Sequence, residues 1–287
     1  MSNILARLNR ALLPVKRPLY RVERRWYSRR PRMLKLPDFM SIGSGQAGST
    51  WLYRNFQHHP GIFMADGKET HYFSRLFECV SLHFYSSLFA EAGTRICGEM
   101  TPNYTLLVPE RIGFIHRLMP DLRLILTVRN PVERAWSGAR RSISGVAKQQ
   151  GVEFSAIPDD EFYEYFQKEW AYRPERQQGG AFNTGMLQAH YCRAMDNWTA
   201  VFPAEQLLVC FFDDIAREPR QLMERICRHL GASTDVDWSQ FPLWKKVNAN
   251  PAHAIPERFA AYLSELYAGE IAELRSRFPN ETAGWQA

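Results

Sequence analysis

Cysteine is scarce and scattered in this chain. Cys79, Cys97, Cys192, Cys210 and Cys227 are odd in number and form no CxxC pair, which indicates neither a disulfide framework nor a zinc site. They read as small buried residues of a reducing compartment. No run approaches the roughly 20 consecutive apolar residues of a membrane-spanning helix. The apolar positions between Ile4 and Val15 are broken by Arg7, Asn9 and Arg10, so no secretory apolar core develops and a cytoplasmic location is expected. Internal repeats and low-complexity tracts are also missing, which excludes a solenoid. Acid is nearly absent from residues 1–35, where eleven Lys/Arg face a single Glu23. The chain carries +6 in all, so the remainder is mildly acidic. With nothing basic continuing into the body, a nucleic-acid interface is not expected.

What is present suits one large α/β domain: 287 residues, 45% apolar, with eight Trp and eighteen Phe. We divide the chain into a basic arm, 1–36, and a single domain, 37–287. The arm mixes Leu5, Leu8, Leu12, Leu13, Tyr20, Trp26 and Tyr27 with its cations. It reads either as a segment lying on the anionic inner face of a membrane or as a solvated tail packed loosely on the body.

Along the domain, strands are predicted at 38–43, 62–64, 95–99, 122–128 and 206–212. The run 122–128 is apolar enough for a central parallel strand. Asn130 is placed to cap a helix whose first position is Pro131. Further helices are predicted from Trp51, stopped by His59-Pro60-Gly61, over 220–230 with Gly231 as terminator, and over 256–278. In the last, Phe259, Leu263, Leu266, Tyr267, Ile271, Leu274 and Phe278 recur at spacings of three and four. Residues 140–183 are polar and irregular in pattern, and read as helical insertions bordering a cleft. Strands alternating with helices give an α/β fold: a P-loop-like parallel sheet with helices on both faces.

The segment Gly43-Ser44-Gly45-Gln46-Ala47-Gly48-Ser49-Thr50 joins a strand to a helix. Glycine lets the backbone turn tightly and approach a ligand closely. The N–H groups of Ala47 to Trp51 would converge at a helix N-terminus, which favours an anion, with hydroxyls from Ser49 and Thr50. A nucleoside-triphosphate P-loop needs Lys where Ser49 stands, which speaks against a kinase. An Arg ending a central strand, Arg129, offers a planar fork for a second phosphate, and Ser137 adds a hydroxyl from the next helix.

These elements resemble those of the sulfotransferases that use 3′-phosphoadenosine 5′-phosphosulfate (PAPS). That family has a G-x-x-K/R-x-G-T-T/S-x-L loop for the 5′-phosphosulfate, matched by Gly43 to Leu52, and an Arg and Ser eight residues apart for the 3′-phosphate, matched by Arg129 and Ser137. Lys68-Glu69-Thr70-His71-Tyr72-Phe73 resembles the K-E-x-H-[FY]-F element of its glycan-modifying branch. Gly98-Glu99-Met100-Thr101-Pro102-Asn103-Tyr104 resembles a G-E-K-[ST]-P-x-Y turn beside the acceptor. Lys245-Lys246-Val247-Asn248 resembles a late segment that closes over the nucleotide.

The resemblance implies sulfuryl transfer from PAPS to an acceptor hydroxyl by in-line displacement, leaving adenosine 3′,5′-bisphosphate (PAP), with no metal. The acceptor it implies is a glycan or another small polar molecule, and Trp136, Tyr163, Tyr165, Trp170 and Tyr172 are candidate stacking surfaces. Donor contacts fall to Gly45, Gln46, Ala47, Gly48, Ser49, Thr50, Trp51, Arg129, Ser137, Lys246 and Asn248. Glu69 is the expected base, Lys68 a cation on the transferring group, and His71 a second base or donor. Two positions depart from the pattern: Gln46 and Met100 stand where the family has cations. Gln46 can donate a hydrogen bond but brings no charge, so a silent PAP-binding protein is the alternative reading.

Overall fold

A strand as apolar as 122–128 requires cover on both faces, and it has it. In the computed structural model, which describes residues 16–149, 151, 160–161, 163–164, 188–245 and 255–285, there are five strands. They are β1 Phe39–Gly43, β2 Ile62–Met64, β3 Ile96–Met100, β4 Arg123–Val128 and β5 Leu207–Phe211. They form one sheet in the order β2-β3-β1-β4-β5, with every pairing parallel. The helices are α1 (16–27), α2 Ser49–Gln57, α3 Leu82–Ser87, α4 Pro109–Leu118, α5 Pro131–Gln149, α6 Tyr191–Thr199, α7 Phe212–Arg217, α8 Pro219–Leu230 and α9 Glu257–Arg277.

Successive residues of a strand point to opposite faces, and the core divides accordingly. Phe39, Ile125, Met100 and Cys210 pack with Trp51, Leu52 and Phe56 of α2 and Leu222, Met223 and Ile226 of α8. Met40, Ile42, Leu124, Leu126 and Val128 pack with α4, α5, α6 and α9. From α9 come Phe259, Leu263, Tyr267, Ile271 and Leu274, all buried, so the predicted apolar stripe is the docked face. Gly98 makes room for this packing: a Cβ there would lie 2.3 Å from the Phe39 ring.

The predicted punctuation of α5 and α8 is observed. Asn130 Oδ1 accepts from Val132 N at 2.9 Å and Glu133 N at 3.4 Å, with Pro131 opening α5. Gly231 closes α8 with φ 74°. Three points differ from expectation. Helix α2 begins at Ser49 rather than Trp51, because Gly48 takes the cap position in left-handed geometry. Residues 140–149 are helical, but as the continuation of α5 and not as an insertion. Helices α1, α3, α4, α6 and α7 are not among those predicted, although Ile112, Ile115 and Leu118 of α4 do carry helical spacing.

Strand β1 lies between β3 and β4, and the chain leaves it toward β2 on one side and later fills β4 on the other. That reversal opens a crevice at the carboxyl ends of β1 and β4. The loop after Gly43 and the turn at Arg129 both sit there.

Candidate active site

The loop after β1 is held from several directions. Thr127 Oγ1 donates to Gly43 O at 2.8 Å, and Ser44 N donates to Thr127 O at 3.0 Å. A Cβ on Gly43 would sit 2.4 Å from Thr105 Cγ2, so the backbone passes where only glycine fits. No side chain caps α2, so its first-turn N–H groups are left to face an anion at the loop. The first loop N–H is engaged within the protein: Gly45 N donates to Gln188 Oε1 at 3.2 Å. Gly45 thus shapes the loop. The Trp51 indole is buried and donates to Leu243 O at 2.8 Å, so only its backbone is free to serve a ligand.

Gln46, Arg129 and Ser137 come together. Arg129 Nη1 donates to Gln46 O at 3.2 Å, and Ser137 Oγ donates to Gln46 Oε1 at 3.4 Å. The Arg129 guanidinium lies 4.3 Å above the Phe212 ring and bonds Glu133 Oε2 through Nη2 at 3.1 Å. Glu133 is half-exposed and can rotate away when an anion competes for the same fork.

On the facing side, Lys68 Nζ lies 3.1 Å from Thr50 Oγ1 and 3.4 Å from Glu69 Oε1. The lysine therefore ties the carboxylate to the first turn of α2. His71 Nε2 is 3.3 Å from Glu69 Oε2. Its hydrogen bond, more than any other influence, holds the Glu69 carboxyl below its usual range, against the opposing effect of partial burial. Burial lowers the Lys68 pKa, with Arg141 adding to the effect and Glu69 resisting it. Arg141 is thus a second cation near the group that faces Gln46's loop. Among the described residues, the non-glycine positions with positive φ are Gln46 (66°), Glu69 (74°) and His71 (53°). Such backbone costs about 1–2 kcal/mol at each residue and persists where surroundings enforce it.

The enforcement comes from below. Glu69 N donates to Met100 O at 3.1 Å, and His71 N to Thr101 Oγ1 at 3.4 Å. Between them, Thr70 Oγ1 donates to the wholly buried Glu99 carboxylate. Glu99 also accepts from Tyr85, from Thr101 at 3.0 Å and from Tyr104 at 3.1 Å. Burial raises the Glu99 pKa, while these donors oppose the rise.

A family model described as the sulfotransferase family matches residues 63–236, more than half of the chain. The chain belongs to the sulfotransferase family. Human heparan sulfate glucosamine 3-O-sulfotransferase 6 is 28% identical over 215 residues, which cover 74% of this chain and 57% of that protein. Membrane-associated sulfotransferase kil1 of Dictyostelium discoideum is 24% identical over 294 residues, covering 77% and 61%. The chain thus spans less than two thirds of these relatives. The crystal structure of the sulfotransferase from Alicyclobacillus acidocaldarius shares the fold, with a TM-score of 0.69 at 23% identity over 88% of this chain and 99% of that one.

The family match includes Lys68, Glu69, His71, Arg129 and Ser137, while the 43–50 loop lies ahead of it. Lys246 and Asn248, and Tyr165, Trp170 and Tyr172, lie outside the described residues. Trp136 and Tyr163 pack against Phe259; Trp136 is buried core, while Tyr163 is half-buried against it. Sequence reasoning missed Gln188 and Tyr191. Gln188 accepts from Gly45 N and from Arg134 Nη2 at 3.0 Å, and donates to Asn103 Oδ1 at 2.6 Å. Tyr191 OH donates to Arg129 O at 3.0 Å. Neither carries a local spacing that could have exposed it.

Proposed function

We propose that this chain transfers a sulfuryl group from PAPS to a hydroxyl of a carbohydrate acceptor, leaving PAP. The observation that carries the reading is Lys68, placed between the phosphate-loop hydroxyl of Thr50 and the carboxylate of Glu69. It puts a base and a cation against an anion-binding helix terminus. The names of the heparan sulfate relatives direct the choice of acceptor to a glucosamine-containing glycan.

Bound PAPS would supply an activated sulfuryl group on a phosphate leaving group. The residues around it fit that donor. Uncapped N–H groups of α2, with Ser49 and Thr50, hold the 5′ end. Arg129 and Ser137 hold the 3′-phosphate by charge-assisted and neutral hydrogen bonds. Glu69, ionised because its carboxyl is held low, accepts the acceptor proton. Positioning and preorganised charge supply most of the acceleration in transfers of this type. The neutral Gln46 forgoes a charged contact worth about 3 kcal/mol by analogy with oxyanion-hole donors, and Lys68 with Arg141 supplies cationic charge nearby.

Calorimetry with PAP and a labelled-sulfate assay with PAPS and a glucosamine-containing glycan test the proposal. Arg129→Ala should weaken PAP binding about tenfold or more through loss of a charge-assisted bond. Glu69→Gln should keep PAP affinity and lose at least about 100-fold in turnover. No affinity for PAP would overturn the donor assignment; PAP binding with no turnover on any acceptor would leave a silent nucleotide-binding protein.

A further inference from the structure

Helix α1 has a docked face and an outward one. Glu23 Oε2 and Oε1 accept from Leu82 N and His83 N, each at 3.0 Å. Arg24 is buried, donates to Phe77 O and to Glu78 Oε2, and lies 4.1 Å above the Phe77 ring. Tyr27 packs on the main core. These contacts fix the helix to the body, so the residues on its other side occupy a defined surface.

That surface carries two stripes. Leu19, Val22 and Trp26, at spacings of three and four, are 63%, 69% and 41% exposed. Arg17, Arg21 and Arg25, at spacings of four, are exposed beside them, Arg21 also lying 3.7 Å from Glu78 Oε2 of the body. The one acid of the helix, Glu23, is consumed in docking. Exposed Arg29, Arg30 and Arg32 and exposed Met33 follow, with Arg30 stacked 4.8 Å above the Trp26 ring.

We infer that this face of α1 docks on an anionic lipid bilayer. An apolar stripe edged by arginines and a tryptophan is the pattern of a helix lying in the membrane interface, where apolar burial and headgroup attraction add. A second copy fits poorly, since pairing two such faces opposes cation to cation. Duplex nucleic acid has no use for the leucine, valine and tryptophan. The acidic balance of the remaining chain restricts the attraction to this face.

The test is co-sedimentation of the full chain with vesicles of phosphatidylcholine alone or mixed with phosphatidylglycerol. Binding is expected to the mixed vesicles only, and to fall at high salt. Arg17→Gln, Arg21→Gln and Arg25→Gln together should weaken it about 100-fold, at roughly 1 kcal/mol per cation. The triple change of Leu19, Val22 and Trp26 to Ser should abolish it. Both variants should retain the circular dichroism and thermal melting of the parent, which separates surface loss from unfolding. Equal binding to both vesicle types, no binding, or undiminished binding by either variant would overturn the inference. So would a dimer in sedimentation velocity that the serine variant abolishes.

Discussion

Gln46, Glu69 and His71 share a backbone conformation that ordinary residues avoid, Gln46 beside Arg129 and Ser137 and the other two beside Lys68. His71 shows why the conformation matters, because its ring reaches Glu69 through Nε2 and Ser74 through Nδ1, each at 3.3 Å. The contact to Glu69 is the main reason that carboxyl sits low. His71→Asn keeps a residue that tolerates left-handed backbone and a polar atom near Nδ1, but lacks the atom that reaches Glu69. The Glu69 pKa should then rise, since the stabilising bond goes while the burial stays. A base with a raised pKa is protonated over more of the acidic range, so the acid limb of kcat/KM should move to higher pH. PAP affinity should not change. An acid limb that stays in place would remove His71 as the group that tunes the base.

At the scale of elements, the β1 loop and α2 depend on Gly48. It caps α2 at φ 88°, and a Cβ there would meet Ile215 Cδ1 at 2.2 Å. Gly48→Ala should cost about 2 kcal/mol from left-handed strain and displacement of the Ile215 side chain, read as a lowered urea midpoint. PAP binding should weaken with it, because the α2 N–H groups turn with the cap. Unaltered stability would mean that the cap does not constrain the loop. This strand–loop–helix was legible in the sequence because its geometry is local: glycines at a strand end, hydroxyls after them, then an apolar helix face. The Arg129 turn was legible for the same reason, through Asn130 and Pro131. Glu99, Thr101 and Tyr104 were legible as one turn, but their meeting with Thr70 and Tyr85 was not, since those two come from separate segments of the chain. Gln188 likewise links Gly45, Asn103 and Arg134 only after the sheet has assembled.

For the molecule as a whole, the question is how firmly the basic N-terminal region belongs to the body. Charge alone left residues 1–36 as tail or surface anchor; the decisive contacts run from Glu23, Arg24 and Tyr27 to Leu82, His83, Phe77 and the core, partners that no local pattern reveals. Arg24 joins α1 to the turn at Phe77 and Glu78, just beyond the Tyr72–Leu76 helical turn that follows His71. Docking of α1 therefore buttresses the segment that carries the base. Arg24→Ala removes charge-assisted hydrogen bonds and the packing of the guanidinium on Phe77, a loss of about 2 kcal/mol. Helix α1 should then open locally without global unfolding, as peripheral elements do when their few anchors are cut. Limited trypsin digestion should read this directly, because Arg21 and Arg25 become cleavable on the opened helix, whereas Arg17 precedes Pro18 and resists. The variant should be cut after Arg21 and Arg25 well before the sheet is attacked, and its PAP affinity should hold, since the proposed phosphate contacts lie on the loop after β1, on α2, at Arg129 beyond β4 and on α5. A digestion course matching the parent would show that Glu23, Arg21 and apolar packing hold α1 without Arg24.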